Sequence, residues 1–229
     1  MPISDELRLS VTSRPTFKKD LLEMIVSLFV MSFGVVLSVK ACQGASPIAS
    51  LPNVISQWSG FSLGVTLFAV YSICIIIEWA IIRDRKKILM TASQLPFTII
   101  FSLFVDLVEM CVDSWVVTDL FQQWVLVVLS TAIIGFGIVL EVDANVSMLA
   151  DDGLVLAIHR VTKVRLDKVM MAFDIVFVAT AFILSYILFQ DFVGVGLGTI
   201  FAGVTLGIFI RIFTKIVKGY IRKDGSIDD

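Results

Sequence analysis

The sequence predicts an all-α integral membrane protein. Its six transmembrane helices are expected to form two inverted-topology repeats of three helices, each with a short broken or re-entrant helix after its first span. Three observations predict this class: apolar runs of spanning length, basic residues confined to alternate connections, and one stretch that occurs twice. Of the 229 residues, 58% are hydrophobic and 17% are charged. The mean hydropathy of +0.96 is far above that of soluble domains.

Six apolar runs are long enough to cross the membrane as helices. A hydrocarbon core of ~30 Å takes about 20 helical residues, and helices satisfy the backbone groups that lipid cannot bind. The runs lie at residues 21–39, 61–82, 88–112, 123–142, 166–189 and 193–217. They define a first repeat at 21–113, a connection at 114–122 and a second repeat at 123–217, with polar segments at 1–20 and 218–229.

The basic residues predict the orientation. Lys and Arg cluster before the first span, between the second and third, between the fourth and fifth, and at the end of the sixth, whereas Lys40 is alone on the opposite side. By the positive-inside rule, segments 1–20 and 218–229 are cytoplasmic and the connection at 114–122 is external. Six spans is the number that reconciles this alternation with the apolar runs.

One stretch occurs twice. FGVVLSVKA at residues 33–41 recurs as FGIVLEVDA at residues 136–144, with six of the nine positions identical at an offset of 103. Each copy carries three spans, and three is odd, so the second copy enters the membrane from the opposite side. This predicts an inverted-topology repeat, the architecture of many secondary transporters.

Each copy of the repeated stretch ends in a polar break. In the first break Ser46 and Pro47 can start a helix, and in the second Asp151 or Asp152 can cap one. Both helices have about 12 residues, too few to span. Each is either a re-entrant half-helix or an interfacial helix, and re-entry is favoured because matching interruptions mark transport sites. The expected half-helix substrate site comprises Asn145, Asp152, Asp143, Ser46 and Gln43.

The third span carries a polar stripe at steps of three or four residues, which places its members on one helix face. The expected path or coupling residues on this face are Gln94, Thr98, Ser102, Asp106 and Glu109. Because a carboxylate in lipid costs at least ~2.5 kcal/mol, the face must look at protein or water. The sixth span repeats a small and polar face, so we expect both helices to line a shared central path. The alternative is a packed seam.

Ionisable residues also occur inside the second and fifth spans. Asp174 lies near the middle of the fifth span, and Tyr71 occupies the corresponding position of the second span at the offset of 103. We expect both on the transport path. For Asp174 two interpretations stay open: a protonated coupling residue, or an acid kept neutral by a bond between helices. Glu78 and Arg211 lie at similar depth and are predicted to form a structural ion pair.

Catalytic and metal sites are not expected. His159 is the only histidine, and the three cysteines have no metal-ligand spacing. No nucleophile, base and acid set can be assembled. We therefore expect neither an enzyme nor a cofactor, and no nucleic-acid partner.

Several of these motifs are similar to a known family. Residues 41–47, ACQGASP, are similar to a family pattern of Ala-Asn-Leu-Gly followed by Pro, and residues 144–154 and 194–199 are similar to its later motifs. On these residues the chain resembles the YczE/YitT-type family of multi-pass bacterial membrane proteins, closest to its YczE branch. The resemblance implies a bacterial cell (inner) membrane and a transport function, but no particular solute.

The expected function is that of a small-molecule transporter, a secondary carrier for which proton coupling is an option, with its site between the repeats. The excess of acids favours a cationic or zwitterionic solute. Two alternatives remain open: a substrate-binding membrane subunit of a larger vitamin or micronutrient importer, and a non-transporting membrane assembly factor. The expected partners are the solute and the lipid bilayer, and a homo-oligomer or an importer partner is compatible with the sequence.

Overall fold

The computed structural model describes residues 17–82, 91–144 and 146–223, and no strand occurs among them. The helices are α1 (Phe17–Lys40), α2 (Pro47–Ser59), α3 (Leu63–Ile82), α4 (Gln94–Cys111), α5 (Leu120–Ala144), α6 (Ala150–Thr162), α7 (Leu166–Phe189) and α8 (Leu197–Lys223). All except α2 and α6 are long and apolar enough to cross a membrane, which makes six candidate spans. The prediction of a multi-pass helical membrane protein is confirmed.

Corresponding helices of the two halves begin at a constant separation. The starting residues are 17 and 120 for α1 and α5, 47 and 150 for α2 and α6, 63 and 166 for α3 and α7, and 94 and 197 for α4 and α8. Every pair is separated by the offset of 103 found in the repeated stretch. The internal repeat therefore extends to the whole helix pattern.

Helices α1 and α5 form the centre of the molecule and are its most buried spans. Gly34 of α1 faces Ile134 of α5, and Gly137 of α5 faces Met31 of α1. Along this contact the residue numbers fall in α1 as they rise in α5, so the two helices are antiparallel. A Cβ on Gly34 would lie 2.7 Å from Ile134 Cγ1, and glycine is what allows the backbones to approach this closely.

The short helices exchange partners between halves. Helix α6 packs on α3 of the first half, and α2 packs on α7 of the second half. Each short helix also contacts the second span of its own half. The two halves are therefore interlocked, and both short helices begin within one central core cluster that includes Ile48, Ala49, Leu149 and Ala150.

The expectation that the third and sixth spans line a shared path is wrong. Helix α4 packs on α1 and α3, whereas α8 packs mainly on α5. The antiparallel pair α1 and α5 therefore separates the two polar faces. Among the small residues of α8, Thr199 and Ala202 are buried, whereas Gly207 has nothing within 4 Å of the position of a Cβ.

Local sequence explains where the short helices begin and end. Pro47 is the first residue of α2, where its fixed φ and missing N–H cost nothing. Gly60 ends α2 in the left-handed region at φ 74°. Helix α6 begins after Leu149, with Asp151 and Asp152 in its first turn, so neither Asp is the N-cap residue expected from the sequence. Both helices have 13 residues, close to the predicted length.

Candidate functional site

The two short helices begin with the same hydrogen bond. The Ser46 N–H donates to Ser38 Oγ at 3.0 Å, and the Leu149 N–H donates to Glu141 Oε1 at 2.7 Å. Donors and acceptors of the two bonds are each separated by the repeat offset of 103. In both halves the end of a long helix thus supplies an acceptor for the free N–H groups of the short helix. The acceptor is a neutral hydroxyl in the first half and a carboxyl group in the second.

Carboxyl groups from three helices meet around Tyr71 of α3. Glu141 comes from α5, Asp151 and Asp152 from the first turn of α6, and Asp174 from α7. Glu141, Asp151 and Asp152 all act electrostatically on Tyr71, and Asp174 interacts with both Asp151 and Asp152. Tyr71, Glu141, Asp151, Asp152 and Asp174 are called the acidic cluster below.

The centre of the acidic cluster is buried and incompletely hydrogen-bonded. Tyr71, Glu141 and Asp151 are 0%, 2% and 6% exposed. Tyr71 lies beside Asp151, yet Tyr71 Oη, Glu141 Oε2 and Asp151 Oδ1 have no hydrogen-bond partner among the described residues. An unsatisfied buried polar group costs about 1–3 kcal/mol. Three such oxygens, one each from α3, α5 and α6, belong to the acidic cluster.

The charge of the acidic cluster is also uncompensated. Within the described ranges, none of its carboxyl groups forms an ion pair with Lys or Arg; the ion pair found there joins Lys40 to Asp113 at 3.9 Å near the surface. Asp151 lies outside the spanning helices, and burial raises its pKa to about 6. Burial and the neighbouring Asp151 also raise the pKa of Asp152. The cluster therefore combines negative charge with sites that bind protons near neutral pH.

The arrangement does not match a metal centre. In the part of the chain that the structure describes, no group of three or more His, Cys, Asp or Glu residues is placed to hold a metal ion. The carboxyl groups surround Tyr71 without converging on one point. They can hold protons, or hydrogen-bond donors of a larger ligand.

Three residues predicted from the sequence belong to the acidic cluster: Tyr71, Asp152 and Asp174. Asp143 does not, although it comes from the same break: it is exposed and faces Glu23 of α1. Asn145 lies outside the described residues. Asp143 therefore serves as a natural comparison for the acids of the cluster.

The predicted residues of the first break have other partners. Ser46 is buried, and its Oγ has no hydrogen-bond partner among the described residues. Gln43 Nε2 donates to Gln123 Oε1 at 2.6 Å, and the Gln43 carbonyl accepts from the Gly198 N–H at 2.8 Å. Gln43 thus ties the first break to the beginnings of α5 and α8.

Asp106, predicted on the transport path, instead holds the start of α3. Its carboxylate accepts from the Gly64 N–H at 2.7 Å and from Ser62 Oγ at 2.9 Å. The Glu109 carboxylate accepts a hydrogen bond from the backbone of Leu63, at the same end of α3. A carboxylate at the N-terminus of a helix is favoured by the free N–H groups and the helix dipole. These contacts fasten α4 to α3.

The predicted ion pair between Glu78 and Arg211 does not form. Glu78 accepts from Thr91 Oγ1 at 2.9 Å and from Gln94 Nε2 at 3.1 Å. Arg211 is exposed on α8, which packs on α5 and not on α3. The contacts of Glu78 fasten α3 to the start of α4, at the opposite end from Asp106.

The remaining residues of the α4 stripe are buried between helices. Gln94 also abuts Gly153 of α6, so it links α4 to the short helix. Thr98 Oγ1 donates to the Gln94 carbonyl of its own helix at 3.0 Å. Ser102 is buried, and its Oγ has no partner among the described residues. The stripe is therefore a polar seam between α4 and its neighbours, the alternative left open by the sequence.

Glu141 and Asp151 were not among the site residues predicted from the sequence. The repeat contains the signal that identifies them. Glu141 aligns with Ser38 within the nine repeated residues, and Asp151 aligns with Ile48. At both positions an acid of the second copy replaces a neutral or apolar residue of the first.

The fold and the site together define a helical, multi-pass membrane protein with a buried acidic cluster that has no ion-pair partner among the described residues. The chain belongs to a family of unknown function, DUF6198, whose model matches residues 18–215. Neither the curated proteins nor the solved structures contain a match to the chain.

Proposed function

We propose that the protein is a membrane carrier of a small molecule and that the acidic cluster is its substrate and coupling site. One observation carries the proposal. Three buried oxygens, of Tyr71, Glu141 and Asp151, have no hydrogen-bond partner among the described residues, and Asp152 and Asp174 interact electrostatically with the same group. A protein retains such costly groups inside a membrane where they bind a solute or a proton.

An inverted repeat supports this function. The constant helix offset, the antiparallel pairing of α1 with α5 and the reciprocal packing of the short helices are what a two-fold axis in the membrane plane produces. Carriers of this architecture bind solutes near the midplane, where the repeats meet. The basic residues and the resemblance to the YczE/YitT-type family favour the bacterial inner membrane, with both termini cytoplasmic.

A re-entrant position of α6 also supports the proposal. Asp151, in the first turn of α6, lies beside Tyr71. Tyr71 is the ninth of the 20 residues of α3, so α6 begins near the middle of that span. A helix lying flat at the membrane interface does not reach this depth. Interrupted helices that begin at the midplane are typical binding elements of carriers.

The electrostatics favour a cation or a proton over an anionic solute. The N-terminus of a half-helix is the usual place for an anionic group. Here the Leu149 N–H at the start of α6 already binds Glu141, and two further acids occupy the first turn. An anionic solute would meet repulsion from all of them.

The test is a binding screen followed by flux measurements. The purified protein is screened by thermal shift against amines, amino acids and vitamins, since a ligand of the folded state stabilises it. Each stabilising compound is then tested for uptake into liposomes that contain this protein alone. We expect uptake that Asp174→Asn and Glu141→Gln abolish and that the matched exposed variant, Asp143→Asn, retains.

Two results would contradict the proposal. Uptake that is unchanged in both Asp174→Asn and Glu141→Gln would remove the acidic cluster from the pathway. Binding with no uptake would support the alternative function of a substrate-binding importer subunit.

A further inference from the structure

We infer that the acidic cluster recognises a primary ammonium group of an organic cation. The inference rests on the proposed carrier function and specifies its substrate class. It is argued from the hydrogen-bond capacity and the charge of the cluster.

The acidic cluster is short of hydrogen-bond donors: against its four carboxyl groups it has one hydroxyl, that of Tyr71, which lies beside Asp151. Its three unpartnered buried oxygens, Tyr71 Oη, Glu141 Oε2 and Asp151 Oδ1, can all accept. A primary ammonium has three N–H donors and no acceptor, so it adds donors to the cluster without adding acceptors. A hydroxyl has a single donor, and a quaternary ammonium has none. Carboxylates and phosphates would add acceptors where acceptors are already in excess.

In their ionised state the carboxyl groups of the cluster favour the same kind of ligand. Ionised carboxyl groups are retained in protein interiors when they are paired. In the described part of the chain, Lys and Arg form no ion pair with Glu141, Asp151, Asp152 or Asp174. A cationic ligand supplies the missing countercharge, and a diamine balances more of the four carboxyl groups than a monoamine does.

The position of Tyr71 is fixed by packing. Its ring stacks on Phe101 of α4, with the ring centroids 6.2 Å apart and the planes at 9°. The phenol oxygen is thus held among the acids without a hydrogen bond of its own among the described residues. Asp152 and Asp174 are only partly buried, so they mark the side of the cluster on which a second ammonium group would lie.

The test compares three ligands of similar length by calorimetric titration of the full-length protein in lipid nanodiscs. Putrescine carries two primary ammonium groups. Its fully N-methylated analogue keeps both charges and has no N–H, and 1,4-butanediol has neither charge. We expect putrescine to bind, the methylated analogue to bind at least tenfold more weakly, and butanediol not to bind.

Variants then assign the binding to the cluster. Asp151→Asn removes a charge, and Tyr71→Phe removes one oxygen while keeping the ring on Phe101. We expect each to weaken putrescine binding at least tenfold, whereas Asp143→Asn leaves it unchanged. Equal affinity for putrescine and its methylated analogue would overturn the inference, as would wild-type affinity in both cluster variants or no putrescine binding at all.

The two proposals fail in different ways. Putrescine binding without uptake into liposomes would overturn the carrier function and leave the ammonium site standing. Asp174-dependent uptake of another solute, together with no putrescine binding, would keep the carrier function and overturn the ammonium site.

Discussion

The two halves of the molecule share one helix pattern and use their acids differently. In the first half Asp106 and Glu78 are hydrogen-bonded at opposite ends of α3, where they fasten α4. The corresponding positions of the second half are Phe209 and Ala181, which form no such bonds. Four acids of the second half, Glu141, Asp151, Asp152 and Asp174, instead lie in the acidic cluster, where no Lys or Arg of the described residues forms an ion pair with them.

This difference indicates that the acids of the two halves have different roles, structural in the first half and in the acidic cluster in the second. Helix α4 is fixed to α3 at both ends, whereas α7 and α8 are the least buried of the six spans. The first half therefore supplies a rigid frame, and the second half supplies most of the ionisable groups of the site. Four experiments, in order of decreasing expected effect, test this comparison.

The largest loss of stability is expected for a substitution at Gly64 of α3, where the first half is too closely packed to hold a side chain. A Cβ on Gly64 would collide with the Ser102 carbonyl oxygen and the Asp106 carboxylate. Because a backbone atom cannot move aside, Gly64→Ala should lower the free energy of unfolding by about 1–3 kcal/mol, in addition to weakening the Asp106 contact. Gly207→Ala is the matched control in open space and should cause no loss. Equal apparent melting temperatures for the two variants in detergent would contradict the close contact of α3 and α4.

The second experiment replaces one acid in each half. Asp106→Ala removes the acceptor of the Gly64 N–H, and we expect it to destabilise the protein by about 1–2 kcal/mol, as loss of a helix cap does. Asp174→Ala removes a carboxyl group that repels Asp151, so the apparent melting temperature should stay equal or rise. We therefore predict that Asp106→Ala loses stability, whereas Asp174→Ala keeps or gains it. A loss of stability in Asp174→Ala as large as that in Asp106→Ala would show that the second half also depends on its acids for folding.

The third experiment is a pH titration of stability. Burial raises the pKa of Asp151 from 3.8 to about 6, so the folded state holds this proton more tightly than the unfolded state does. The contribution of this proton to the free energy of unfolding is fully present below pH 3.8 and is lost as the pH rises through about 6. We expect the apparent melting temperature of the wild type to fall between pH 4 and pH 7. Asp151→Asn stays neutral and should show a flatter profile; parallel profiles would contradict the burial of this acid.

The smallest effect is expected at the two equivalent helix starts. Ser38→Ala removes the acceptor of the Ser46 N–H and should cost about 1 kcal/mol of stability, without affecting putrescine binding. Glu141→Gln keeps an oxygen for the Leu149 N–H, so stability should be retained while putrescine binding is lost. Calorimetry and thermal unfolding of both variants separate the two roles. Putrescine binding that survives Glu141→Gln would remove this carboxyl group from the site.

Much of the fold could be predicted because its signals are local. Run length gave the six spans, and the repeat with its breaks gave the two short helices. The predicted fifth span, 166–189, coincides with α7. Helix α4 begins at Gln94, after a turn at Ser93, and residues 88–90 of the predicted third span lie outside the described residues. Boundaries of this kind depend on tertiary contacts that hydropathy does not report.

The site was less predictable because its partners lie on different helices. Helical spacing placed Asp106 correctly on one face with Thr98 and Ser102, but it could not show that this face meets the start of α3. Glu78 was assigned to Arg211 by depth alone, and depth does not determine which helices are neighbours. Tyr71 and Asp174 could be identified because an ionisable group inside an apolar span is unusual wherever it points.

The contact between α1 and α5 is reciprocal: Gly34 meets Ile134 as Gly137 meets Met31. The contact stays the same when the two halves are exchanged. A single ancestral half that inserted into the bilayer in both orientations would therefore have formed the same contact with a second copy of itself. Fusion of two such genes would then have freed one half to lose, and the other to accumulate, acidic residues. With the proposed inverted topology, the duplicated chain is what the fusion of such a dual-topology dimer would produce.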